Sequence, residues 1–141
     1  MIFYFSGTGN SRHAALEIGR VTNEHVMDIA ECLKEGKHTY GLKDDEKLGF
    51  IFPVYYYGLP TVLTEFISKL QIQGNEHPYV FVVMTCGSSS GGADRFMKKL
   101  LLENGLIPNA IHTVPMVDNY VIGYDLSDEE SMDDANKTAD E

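Results

Sequence analysis

The chain reads as a doubly wound α/β domain, a five-stranded parallel sheet with helices on both faces in three layers, and three observations point there. A short apolar strand runs straight into a Gly/Ser-rich loop that opens a helix. Two later apolar runs show no alternation. Segments of helical periodicity separate the strands, which is the pattern of a parallel sheet covered on both sides. The 141 residues, 43% of them hydrophobic, suffice for one sizeable core. A single domain is therefore expected over 1–141, with an acidic C-terminal segment at 125–141.

Each element has its own signal. Residues 1–5 are apolar and aromatic, as a buried first strand requires, and Ala14, Ala15, Ile18 and Val21 then recur at helical spacing. Residues 25–29 read as a second short strand and 30–35 as a short helix that Gly36 stops; residues 36–47 are polar and read as loop. Residues 48–54 and 79–85 are uninterrupted apolar runs, which suits central strands buried on both faces. Between them Val62, Leu63, Phe66, Ile67 and Leu70 mark a helix. Later Ala93, Phe96, Met97, Leu100 and Leu101 mark another, closed by Asn104 and Gly105. Residues 110–116 supply the fifth strand. A last helix over 127–141 has only Met132, Ala135 and Ala139 as apolar positions, so it reads as weak or truncated.

Charge narrows the partners. The formal charge is −10, but eight acids from Asp125 onward against Lys137 alone account for −7 of it. No basic stripe exists to replace the counterions of a nucleic acid, so none is expected as a partner. Cys32 and Cys86 lie in unrelated segments without metal or disulfide spacing and read as reduced thiols. His13, His25, His38, His77 and His112 are scattered, with no metal-ligand spacing and no adjacent nucleophile, and read as surface or capping residues. No metal is expected. The chain shows neither a charged leader before an apolar stretch nor a run of about eighteen apolar residues, so a cytoplasmic protein away from membranes is expected.

The first loop, Ser6, Gly7, Thr8, Gly9, Asn10 and Ser11, has the chemistry of a phosphate cradle. The first amides of a helix lack intrahelical partners and sit at the positive end of its dipole, so a phosphate oxygen can satisfy several of them. Gly7 and Gly9 let the backbone curl close, and the hydroxyl and amide side chains add donors without charge. A Walker loop would need Gly-Lys after its glycine, which is missing between Gly7 and Gly19. A dinucleotide fingerprint would need a glycine where Arg12 stands. Arg12 itself reads either as a phosphate partner or as a solvated helix residue.

Two further loops follow central strands, where an open α/β sheet binds its ligands. One holds Pro53, Val54, Tyr55, Tyr56, Tyr57, Gly58, Leu59 and Pro60. Its tyrosines suit a flat aromatic ligand, since stacking contributes roughly 0.5–1.5 kcal/mol beyond area burial. Two of the three are expected to pack beneath the loop. The other loop, from Thr85 through Cys86, Gly87, Ser88, Ser89, Ser90 and Gly91 to Gly92, offers backbone donors and acceptors with little bulk, as approach to the edge of a planar ring requires. Cys86 reads first as a small residue leaving the strand, ahead of a redox thiol.

These three loops, in this order, resemble the flavodoxin family over residues 1 to about 124. The variant they look most like is the flavodoxin domain of flavoproteins fused to a bacterial ferredoxin with two 4Fe–4S clusters, on Pro53, Val54, Tyr55, Pro60, the third loop, and the stretch Met116, Val117, Asp118, Asn119, Tyr120, Val121. The Cys-x-x-Cys-x-x-Cys runs of a ferredoxin part are absent from this sequence, which implies a stand-alone carrier or a piece of something longer.

The resemblance implies a flavodoxin-like fold that binds FMN non-covalently and passes electrons between redox partners, such as a ferredoxin-type iron–sulfur protein or a fused domain of that kind. It implies cofactor contacts at Ser6, Gly7, Thr8, Gly9, Asn10, Ser11, Pro53, Val54, Tyr55, Tyr56, Tyr57, Gly58, Thr85, Cys86, Gly87, Ser88 and Gly92, and no catalytic residue. It also implies that the Gly58 peptide lies beside the flavin N5 and turns over on reduction, with glycine tolerating a positive φ in one of the two orientations. An NAD(P)H-dependent FMN or quinone reductase of the same fold is the alternative, and a ligand-free interaction module a third class.

Overall fold

The computed structural model describes residues 1–116. In chain order its elements are β1 (Ile2–Tyr4), α1 (Asn10–Thr22), β2 (Val26–Asp28), α2 (Ile29–Lys34), β3 (Thr39–Leu42), β4 (Leu48–Pro53), α3 (Thr61–Lys69), β5 (Gln71–Gly74), β6 (Val80–Cys86), α4 (Ala93–Glu103) and β7 (Pro108–Pro115). Five strands form one sheet in the order β2-β1-β4-β6-β7, every neighbouring pair parallel. The chain runs outward from β1 to β2 on one side and returns to β4 on the other, so the strand order reverses between β1 and β4. This is the doubly wound α/β architecture.

Alternation along each strand explains why the central strands are apolar throughout. Ile2, Tyr4, Ile51, Phe81 and Val83 meet Ala14 and Ala15 of α1 on one face. Phe3, Phe50, Phe52, Val82 and Met84 point the other way, into a larger core shared with Ile29 of α2, Leu63, Phe66 and Ile67 of α3, and Met97 and Leu101 of α4. Helices thus cover both faces. Two helix ends show their local cause. The Asp28 carboxylate accepts from Ala30 N–H at 2.8 Å and caps α2, while Leu101 C=O takes the amides of Asn104 and Leu106 at the end of α4.

The structure departs from the sequence reading in three places. Residues 36–47 are not simply loop, because β3 lies within them and pairs in parallel with β5, Thr39 opposite Gln71 through Leu42 opposite Gly74. This small second sheet closes one end of the larger core. Tyr40 of β3 sits edge-on to Phe3 at 4.8 Å between ring centroids and donates its hydroxyl to Lys37 C=O at 3.0 Å. Val21 is 73% exposed. The buried stripe of α1 runs through Ser11, Ala15 and Gly19, and Val21 stands about 200° around the axis from Gly19 at roughly 100° per residue. Phe96 is exposed for a similar reason, since the buried stripe of α4 is Ala93, Met97 and Leu101. The expectations for a last helix over 127–141 and for the stretch 117–121 lie outside the described residues. Among those described, no helix is long and apolar enough to cross a membrane.

Phe66 is fully buried and its ring lies 4.9 Å from Phe3 and 6.3 Å from Tyr40, so it joins α3 to both sheets. Phe66→Ala is expected to lower the unfolding free energy by about 3–5 kcal/mol. Val21→Ala, on the exposed flank of α1, should change it by less than about 0.5 kcal/mol. Paired urea denaturation curves of the two variants check both values.

Candidate functional site

Three loops leave the carboxyl ends of adjacent strands β1, β4 and β6 and meet around a cavity of about 460 Å³. The first loop contributes Ser6, Gly7, Thr8, Asn10 and Ser11, the second Pro53, Val54, Tyr55, Tyr56 and Tyr57, and the third Thr85, Cys86, Gly87, Ser88 and Ser89, with Met116 beyond β7. Gly9, Gly58 and Gly92 from the expected set do not line it; they shape the loops that do. Gly9 and Gly92 precede α1 and α4 with φ of 113° and 105°, a left-handed region in which a side chain is strained. Sequence reasoning left Ser89 and Met116 out of the cavity wall. Ser89 lay inside a segment already singled out, and Met116 entered only as the start of a stretch that carried the resemblance, without a place in the cavity.

The first loop is held in shape by its own side chains. Ser6 Oγ accepts from Gly9 N–H at 3.0 Å, and the first intrahelical bond of α1 is His13 N–H to Gly9 C=O at 2.8 Å. The amides of Ser11 and Arg12 therefore have no partner within the helix and belong to its N-terminal end. No acid occupies the first turn of α1, and no described residue lining the cavity carries a formal charge. An anion entering here is met by dipoles and neutral hydroxyls. Below the loop, Ser11 Oγ and Thr85 Oγ1 are hydrogen-bonded at 2.8 Å. With 1% and 3% relative exposure they are the only buried polar residues among those described.

Arg12 does not line the cavity. Its guanidinium acts on the Tyr4 hydroxyl, which it shares with Asp28. Burial pushes the Tyr4 hydroxyl above its ordinary pKa, the charge and hydrogen bond of Asp28 push it further, and Arg12 opposes both. Arg12 is exposed, as the solvated-helix reading of it expects, and it stands beside the Tyr4–Asp28 pair. Among the described residues no set of three or more His, Cys, Asp or Glu side chains could hold a metal ion. His38 is half-buried, with its Nδ1 lacking a hydrogen-bond partner among described residues, so it is not the surface histidine that was expected.

The tyrosine loop is a tight hairpin. Tyr55 N–H bonds Gly58 C=O at 3.2 Å and Gly58 N–H bonds Tyr55 C=O at 2.9 Å, which leaves Tyr56 and Tyr57 at the turn with φ of 48° and 61°. Two positive φ values in succession define a turn that normally takes Asn-Gly. The expectation that two tyrosines pack beneath the loop fails: Tyr55, Tyr56 and Tyr57 are 40%, 100% and 64% exposed. They reach sideways instead. A Cβ added to Gly7 would stand 2.5 Å from the Tyr55 hydroxyl, and one added to Gly91 would stand 2.0 Å from Cδ1 of the Tyr57 ring. Tyr55 thus leans on the first loop, its ring perpendicular to Phe5, and Tyr57 leans on the third. Glycine at 7 and 91 is what allows this closeness. At Gly58 a Cβ would meet only Tyr55 C=O, at an ordinary 3.5 Å, and its φ is not in the left-handed region.

A flavodoxin-domain family model matches residues 1–116. No curated protein matches the chain in sequence. Among solved structures, the general stress protein 14 of Treponema denticola, in complex with FMN, superposes with a TM-score of 0.62 at 10% identity, covering 98% of this chain and 92% of that one. An azoreductase from Bacillus anthracis gives a TM-score of 0.50 at 14% identity over 99% and 97% of the two chains. A short-chain flavodoxin associated with a PDU bacterial microcompartment gives 0.51 at 18% over 98% and 91%. These likenesses show the fold.

Left-handed backbone costs an ordinary residue about 1–2 kcal/mol, and asparagine tolerates it. Tyr56, with its ring wholly in solvent, loses no packing when replaced. Tyr56→Asn is expected to raise the unfolding free energy of the ligand-free protein by about 1 kcal/mol, read from urea denaturation. A fall in stability would show that the Tyr56 ring has a partner.

Proposed function

Since the chain belongs to the flavodoxin domain family, we propose that it binds FMN in the cavity between its three loops and carries electrons between redox partners. The observation that carries this reading is an uncharged donor cradle at the N-terminus of α1 opening into a cavity with an aromatic wall. The residues present fit the cofactor. Ser6, Thr8, Asn10, Ser11 and the first amides of α1 suit a phosphate, whose charge the helix end favours. Tyr55 and Tyr57 supply flat apolar surface for one side of the ring, and the third loop, from Cys86 to Ser89, brings backbone polar groups to the ring edge without bulk. When bound, the flavin supplies the electron chemistry; the protein supplies orientation, shielding and electrostatics.

In the carrier reading electrons come from and go to proteins, and a ferredoxin-type iron–sulfur protein, separate or fused, is the proposed partner. The finer affinity to flavodoxin domains fused with ferredoxin modules belongs to this proposal as well.

Anaerobic reduction tests the reading. The FMN-loaded protein is expected to stay yellow with NADH or NADPH alone and to bleach when a reduced ferredoxin-type iron–sulfur protein is added. Bleaching by NADPH alone would overturn the carrier reading in favour of a reductase. A protein that takes up no FMN would overturn the cofactor reading itself.

A further inference from the structure

Two hydroxyls bonded to each other in a protein interior can spend only one proton on that bond. The buried pair of Ser11 and Thr85, 2.8 Å apart and 74 residues apart in sequence, therefore has one proton left to direct elsewhere. A serine inside a helix ordinarily donates to the carbonyl four residues back, as Thr22 does to Ile18 C=O at 2.7 Å. For Ser11 that residue is Gly7, which lies before α1 begins. The helix therefore gives the Ser11 proton no ordinary destination, and Ser11 stands at the end of α1 that faces the cavity.

We propose that Thr85 is a positioning residue for phosphate recognition: its hydroxyl donates to Ser11 Oγ, and the Ser11 hydroxyl is thereby directed at the FMN phosphate. The inference rests on the FMN reading above. The opposite polarity, Ser11 donating to Thr85, would turn an oxygen lone pair of Ser11 toward an anion. The proposed polarity places two donors in series, Thr85 to Ser11 and Ser11 to phosphate, each strengthening the other, and both residues are buried. Thr85 is fixed for this task. It ends the buried run of β6, in register with Pro53 of β4 and Val114 of β7, and its carbonyl accepts from Val54 N–H at 2.9 Å. The pair also ties the first loop to the strand that launches the third, so the phosphate end and the ring end of the cavity share one rigid joint.

The test compares FMN with riboflavin, which lacks the phosphate, by calorimetric titration of the full chain. Thr85→Val keeps the shape and removes the donor; it should weaken FMN roughly ten-fold while leaving riboflavin within about two-fold. Thr85→Ser should restore FMN binding. In a Ser11→Ala background, Thr85→Val should cost FMN nothing more. Equal weakening of both flavins by Thr85→Val, or a full further loss in the Ser11→Ala background, would overturn the proposal and leave Thr85 a packing residue. Should Thr85→Val not fold, Thr85→Cys, whose thiol is a poor donor, carries the same expectation. A wild-type chain that binds neither flavin would instead overturn the functional reading. A wild type that prefers FMN, with an unchanged preference in Thr85→Val, would overturn the role of Thr85 alone.

Discussion

An unfinished helix end held against the centre of a parallel sheet is the constraint on which this structure depends. α1 can present its first amides to a ligand only because β1 stops at Tyr4 and a loop built on Gly7 and Gly9 turns the chain within a few residues. The helix is then held in place by close packing, Ala14, Ala15 and Gly19 permitting its approach to the sheet. A Cβ at Gly19 would fall 2.3 Å from a methyl of Val26. Burial of the small-residue stripe fixes the helix axis, and the axis aims the dipole. With no formal charge on the described cavity wall, dipole and hydroxyl groups carry the anion-binding potential.

The second loop answers a different demand, that of a wall able to reach both neighbouring loops. Tyr55 and Tyr57 do so from a hairpin whose two turn residues are both tyrosines in left-handed backbone. That arrangement is costly, and such cost collects where a function requires the geometry. Here the left-handed turn carries the Tyr57 ring over Gly91, while Tyr55, at the base of the hairpin, leans over Gly7. An Asn-Gly turn would be easier to form but would lack the Tyr57 ring.

Much of this was legible in the sequence, and the limits have physical causes. The strand, glycine-hydroxyl loop and helix at the start are local chemistry, as are the apolar runs of β4 and β6, so the layer order and the three loops could be read directly. The β3–β5 sheet was not legible, because four-residue strands containing Gly41 and Gln71 have weak local preference and exist only through pairing 32 positions apart. Tyr56 and Tyr57 gave a misleading signal: aromatic side chains usually seek burial, and only the backbone reveals that a two-residue turn turns them outward. The Ser11–Thr85 bond joins residues 74 positions apart, each ordinary in its own segment. Met116 reaches the cavity only because β7 is registered beside β6.

A cavity that reads phosphate with neutral donors at a helix end must distinguish FMN from riboflavin. The most direct measurement is the affinity of the wild-type chain for FMN against riboflavin, titrated under identical conditions by calorimetry. Two or more charge-assisted hydrogen bonds to the phosphate predict a preference for FMN of at least about 100-fold. Equal affinities would contradict this, because they would show that the first loop shapes the fold without recognising the anion.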